Sequence, residues 1–98
     1  MAVLYVEHHI TDLDVWMQTY ARYAPEREQA GVRAAYVFQP DDDPHRIVVI
    51  HLFDTPEAAE NFRTFLREQV WTSSQAPPGI GSEPHTMILH EVDTGSKT

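Results

Sequence analysis

Apolar and polar positions fall along this chain in runs whose period marks out the elements. Val3 to Ile10 is dense in β-branched and aromatic residues, which predicts a strand. Thr11 and Asp12 follow at once, and both are residue types that cap a helix N-terminus. From Leu13 the apolar positions are Leu13, Trp16, Met17, Tyr20 and Ala24, the spacing of one helical face. Pro25 should kink or restart that helix, because its ring excludes an interior hydrogen bond, and Gly31 is a plausible stop. Ala34 to Gln39 and Arg46 to Phe53 read as two strands joined by the polar turn Pro40-Asp41-Asp42-Asp43-Pro44, an antiparallel hairpin.

Asp54-Thr55-Pro56-Glu57 combines a capping side chain, a first-turn proline and acids at the positive end of the helix dipole, so a second helix begins there. Phe62, Phe65, Leu66 and Val70 mark its buried stripe, and it should end near Trp71. Thr72 to Pro84, rich in Ser, Pro and Gly and without a period, is the one long loop. A loop of that length in a compact domain is expected to form a mobile rim over a pocket or to reach across to a partner. Thr86 to Val92 reads as a last strand, and residues 94–98 as a flexible tail beyond a single domain of residues 1–93.

The order βαββαβ predicts a ferredoxin-like α+β fold: a four-stranded antiparallel sheet in spatial order 4-1-3-2, with both helices on one face. Ile47 to Ile50, Met87 to Leu89 and Val3 to Val6 are apolar on both sides of the pleat, as strands covered on both faces are. Two helices cover only one face. A homodimer is the economical cover for the other, and it places a polar pocket between the two sheets.

Composition narrows the chemistry. With 98 residues the chain has room for one core, and 42% apolar content is enough to build it. Seven Lys and Arg against fifteen Asp and Glu give a formal charge of -8, which repels phosphate backbones and anionic lipid, so nucleic acid and membrane are not expected partners. The absence of cysteine removes disulfides, thiolate nucleophiles and Cys-ligated metals and fits a reducing cytoplasm, while Met1 to Tyr5 has no basic run and no apolar stretch approaches the roughly 20 residues that span a bilayer, so an unprocessed protein with no transmembrane segment is expected.

Six histidines in a chain this short is a high count. His8 and His9 fall on the first strand, His51 on the third and His90 on the last, and these strands are neighbours in the expected order. Side chains alternate faces, so His51 shares a face with Val49 and Phe53, and His90 with Ile88 and Val92. His8 and His9 point opposite ways, so one of them lies on whichever face is interior. Imidazole is a competent general base near neutral pH, and an aromatic or β-dicarbonyl substrate needs one to lose a C–H or phenolic proton. His51, His8, His9 and His90 are therefore the candidate catalytic residues. Tyr5, Glu7, Trp16 and Tyr36 are candidates to stack on and hydrogen-bond a small hydrophobic or aromatic ligand.

His51 stands out because it interrupts the apolar run Ile47 to Phe53 on a central strand. A ring that opens onto a cavity points to general-base duty. A ring packed under the helices against a backbone carbonyl points to stability alone. No HxxxH or HxH spacing occurs, so no metal is expected; no Ser-His-Asp order, phosphate-cradling Gly loop or dinucleotide fingerprint is present. The Asp41-Asp42-Asp43 run lacks the glycine and terminal glutamate of a calcium loop.

The segments Val6-Glu7-His8-His9-Ile10, Asp12-Leu13-Asp14-Val15-Trp16, Val48 to Phe53 running into Asp54, and Leu89-His90-Glu91-Val92 resemble the dimeric α/β-barrel superfamily, close to the antibiotic-biosynthesis-monooxygenase-like proteins. That resemblance covers nearly the whole chain. It implies a dimeric barrel and, among the superfamily's activities, cofactor-independent quinone-forming monooxygenases and polyketide cyclases. Haem-degrading members carry an Asn on the first strand and a His in or after the second helix. Here Glu7-His8-His9 stands on the first strand and 55–84 holds no histidine, so haem is not expected. The resemblance therefore implies a small cofactor-free monooxygenase or cyclase acting on an aromatic or polyketide-like substrate. The alternative is a non-catalytic small-molecule-binding or accessory protein of the same dimeric fold.

Overall fold

The computed structural model describes residues 1–71 and 84–95. Its elements are β1 (Ala2–His9), α1 (Leu13–Arg22), α2 (Ala24–Ala30), β2 (Ala34–Phe38), β3 (Arg46–Phe53), α3 (Pro56–Phe65) running into a π-helical segment (Leu66–Trp71), and β4 (His85–His90). The strands form one sheet in the order β2-β3-β1-β4, every pair antiparallel. The chain is thus the four-stranded α+β ferredoxin-like domain that its pattern predicts.

Local chemistry places the ends. Asp12 caps α1, its carboxylate accepting from the Val15 amide at 3.0 Å. Thr55 caps α3 by accepting from the Ala58 amide at 3.2 Å, with Pro56 in the first turn where its missing N–H costs nothing. Pro25 restarts the first helical stretch, dividing it into α1 and α2, so the described residues hold α1, α2 and α3 in place of two unbroken helices. Gly31 ends α2 at φ 89°, a left-handed conformation that glycine adopts without a Cβ clash. In the hairpin turn Asp43 accepts from the His45 amide at 2.9 Å, and Gln39 donates to the carbonyls of Pro44 and Arg46.

The buried stripe of α1 is rotated from the expected one. Trp16 and Thr19 are buried and Tyr20 half-buried, whereas Leu13 and Met17 are exposed. Thr19 tolerates burial because its hydroxyl donates back to the Val15 carbonyl at 3.3 Å. The face that turns inward is the aromatic and hydroxyl-bearing one, so hydropathy alone misplaces it.

Alternation along the two central strands decides the layers. Ala2, Leu4, Val6 and His8 of β1, with Ile47, Val49, His51 and Phe53 of β3, are buried on the helix side. Ala59 and Phe62 of α3, then Leu66 and Val70 of the π-helical segment, close over them. The other face carries Val3, Tyr5, Tyr36, Phe38, Val48, Ile50, Leu52, Met87 and Leu89, of which Phe38 is 54% exposed. Among the described residues nothing covers that face. The expected rim loop falls outside the described residues but for Pro84, as does the tail beyond Gly95.

Candidate functional site

A cavity of about 60 Å³ lies between the sheet and the helices of one chain. The pocket expected between two sheets belongs to a dimer; within the single chain, pleat parity turns both buried strand histidines toward the helices. Val6, His8, Val49 and His51 form the floor, Trp16, Thr19, Tyr20, Tyr23 and Arg27 one wall, and Phe62, Leu66, Val70 and Trp71 the other. The π winding matters on that second wall, since bonds that close i to i+5 carry Trp71 round to the side of Leu66.

The candidate residues divide by face. His8, His51 and Trp16 line the cavity. His9 lies on the opposite face, exposed and stacked on His45 at 5.9 Å. His90 is exposed at the end of β4, opposite Ala2, and does not reach the cavity. Tyr5 and Glu7 are on the uncovered sheet face, where the Tyr5 hydroxyl donates to Glu7 at 2.9 Å and Arg46 donates to the same carboxylate at 2.6 Å. The bond from Tyr5 and the charge of Arg46 hold the Glu7 carboxyl below its usual range, while burial and then the Glu7 bond push the Tyr5 phenol up. Tyr36 is exposed on that face too. Thr19, Tyr23 and Arg27, which the sequence reading did not single out, join the site; their signal is the spacing 16, 19, 20, 23, 27 down one side of α1 and α2.

Each cavity imidazole is tied to the backbone through one nitrogen. His51 Nδ1 lies 3.3 Å from the Leu4 carbonyl and His8 Nδ1 lies 3.1 Å from the His9 carbonyl. A carbonyl only accepts, so both bonds require the proton on Nδ1, and in the neutral ring Nε2 then carries a lone pair. Among the described residues neither Nε2 has a hydrogen-bond partner. His51 therefore satisfies both expectations at once: it is anchored to a carbonyl under α3, and it faces the same cavity as His8.

Burial keeps these rings neutral. It lowers the His51 pKa to about 4, against the weaker opposing effect of its bond to Leu4, and the Arg27 charge pushes the same way. Burial likewise lowers His8, offset in part by its bond to the His9 carbonyl. Aromatic packing fixes the walls: Trp16 stacks on Tyr20 at 4.9 Å and tilts against His8 at 6.1 Å, and Phe62 meets His51 edge-on at 5.4 Å. The Arg27 guanidinium lies 3.7 Å over the Tyr20 ring and donates to the Tyr20 carbonyl at 2.7 Å, which leaves further N–H groups for a ligand. Burial also raises the Tyr20 phenol, so it stays protonated as a donor. Among the described residues no three His, Asp or Glu side chains are placed to hold a metal ion, and no helix is long and apolar enough to cross a membrane.

A ferredoxin-like sheet with an aromatic cavity under its helices, floored by two neutral imidazoles, defines a small α+β domain of ferredoxin-like type. Residues 1–67 match the family described as antibiotic biosynthesis monooxygenase, and the chain belongs to that family. The matched stretch runs from β1 to the first turn of the π-helical segment and carries every cavity residue except Val70 and Trp71. No curated protein and no solved structure matches the chain.

The depressed His51 pKa has a stability consequence. Between about pH 6.5 and about pH 4 the unfolded chain binds a proton at this position that the folded chain refuses, so stability is full above that window and is lost as pH falls through it. The full loss is on the order of 3 kcal/mol, and His8 adds to it in the same direction. Urea midpoints measured across the window should fall steeply for the wild type and less steeply for His51→Phe; equal slopes would show that His51 is not buried neutral.

Proposed function

We propose that the chain is a small cofactor-independent enzyme, a monooxygenase or cyclase, acting on an aromatic or polyketide-like substrate by histidine-assisted proton abstraction. The observation that carries this reading is the pair of buried, neutral imidazoles in one aromatic cavity, whose Nε2 atoms have no partner among the described residues. The family description supports the oxygenase branch.

The two histidines suit different tasks. A general base works best with a pKa near the working pH, and His51 is far below it. His8 is the less strongly depressed of the two, so its Nε2 takes the substrate proton while His51 accepts a hydrogen bond that orients the ring system. Arg27, with N–H groups left over beside Tyr20, faces the negative charge that develops on the substrate oxygen. Trp16 and Phe62 hold a planar substrate from either side. In the oxygenase case the carbanion gives its electrons to O₂, a C–O bond forms, and the protonated hydroperoxide loses water by O–O and C–H cleavage to leave a carbonyl. In the cyclase case the same carbanion attacks a carbonyl within the substrate.

A non-catalytic binding role is the second reading, and the His51 pKa favours it, since a ring that resists protonation is a better hydrogen-bond acceptor than base. Oxygen uptake with 1,8-dihydroxyanthrone separates the two. The enzyme reading expects protein-dependent uptake that falls by about a hundredfold or more in His8→Gln, with little change in melting temperature. Uptake no faster than buffer, with binding retained, leaves the accessory role.

We also propose a homodimer joined through the uncovered sheet face. Tyr36, Phe38, Met87 and Leu89 are exposed on that face, part of an apolar strip that crosses all four strands, and contiguous exposed apolar surface of this kind marks an association site. Sedimentation at micromolar concentration should give twice the chain mass, and Ile50→Glu, at the centre of that face, should shift the protein to monomer. A wild-type monomer would remove the dimer from the account.

A further inference from the structure

The cavity as it stands is too small for a ring system. Its volume is about 60 Å³, whereas an apolar cavity that admits one benzene ring measures about 150 Å³. Some part of its wall has to move before it can be filled. The floor is fixed, since its residues stand on the two central strands of the sheet. The first wall is braced by the Trp16–Tyr20 stack and by Arg27, which holds both the ring and the carbonyl of Tyr20. The second wall ends in the π-helical segment Leu66–Trp71, a rare winding beside which the ordinary α winding is available to the same residues.

The two windings differ in where they put one side chain. With bonds that close i to i+5, Trp71 comes round to the side of Leu66 and lines the cavity. With bonds that close i to i+4, Val70 would stand about 40° round the axis from Leu66 and Trp71 about 140°, off the wall. Leu66 and Val70, both buried, thus keep their places in either winding, and Trp71 alone changes sides. The near end of the segment is a fixed pivot, because Leu66 is in the core and Arg67 donates to the Thr86 hydroxyl of β4 at 3.2 Å.

We propose that Leu66–Trp71 is the gate of the cavity, closed when π-wound with Trp71 in the wall and open when α-wound with Trp71 turned out. The inference rests on the reading that this cavity takes a ligand. Packing of the half-buried Trp71 ring against the core holds the closed winding. A ring that takes the place of Trp71 removes that packing, and the segment relaxes to the commoner α winding while Leu66 and Val70 stay buried. Entry and enlargement of the cavity are then one event, driven by the difference in how the ligand fits the two windings.

The test uses naphthalene, a rigid probe larger than the closed cavity, titrated into the full chain and followed by NMR. The methyl signals of Val6 and Val49 report occupancy, and scalar couplings across hydrogen bonds report the winding. In the free protein the amide at position 71 should couple to the Leu66 carbonyl, and with naphthalene bound it should couple to the Arg67 carbonyl instead. Trp71→Ala, checked for an intact fold by circular dichroism, should show the Arg67 coupling with no probe added. Naphthalene that shifts Val6 and Val49 while position 71 stays coupled to Leu66 overturns the gate and leaves the ligand site standing. Naphthalene that enters Trp71→Ala but not the wild type does the same, and a Trp71→Ala chain that stays π-wound overturns the gate as well. If naphthalene perturbs Val6 and Val49 in neither chain, the ligand site falls, and the gate with it.

Discussion

Whether the two imidazoles meet depends on the register between β1 and β3. Leu4 lies opposite His51, Val6 opposite Val49 and His8 opposite Ile47, so one pleat face collects both histidines with the core aliphatics. A slip of one residue in either strand would send its whole buried set to the other face and separate the rings. The register is held from both sides, since β1 also pairs with β4 and β3 with β2, and Ile10 extends it by donating to the His45 carbonyl at 2.7 Å. Every property of the site follows from that pairing, including the Leu4 carbonyl that anchors His51.

Burial then does the electrostatic part. At 4% exposure each, His8 and His51 lose most of the hydration that would stabilise a charged ring. The backbone bonds recover some of it and, more importantly, choose the tautomer. The outcome is a pair of oriented acceptors in an apolar slot, with the cationic Arg27 on the opposite wall lowering the His51 pKa further. The opposite sheet face has a different character: there Tyr5, Glu7, Arg46 and Asp43 pair with one another at the surface, and their groups are already spoken for.

Much of the fold was legible because local signals agreed with one another. The limits of β3, the Asp12 and Thr55 caps and the break at Pro25 all follow from residue types whose conformational preferences do not depend on the rest of the molecule, and the strand order follows from the sequence of elements and the handedness of their crossovers. The site was only half legible. Strands that are apolar on both sides give no clue to which face turns inward, so His8 could not be told from His9, and Tyr5, Glu7 and Tyr36 looked as well placed as Trp16. Hydropathy also missed the inward turn of Thr19, Tyr23 and Arg27, since polar residues beside a cavity break the amphipathic pattern that locates a helix face. The π winding from Leu66 leaves no mark in residue spacing, although Trp71 joins the cavity wall through it.

The central claim is that His8 and His51 share one tautomer, protonated at Nδ1 with Nε2 free. Long-range ¹H–¹⁵N correlation spectra of the imidazole nitrogens report it directly at neutral pH. The account predicts a protonated, pyrrole-like Nδ1 and an unprotonated, pyridine-like Nε2 for both residues. A protonated Nε2 on either ring, or a charged imidazolium on either, would contradict it.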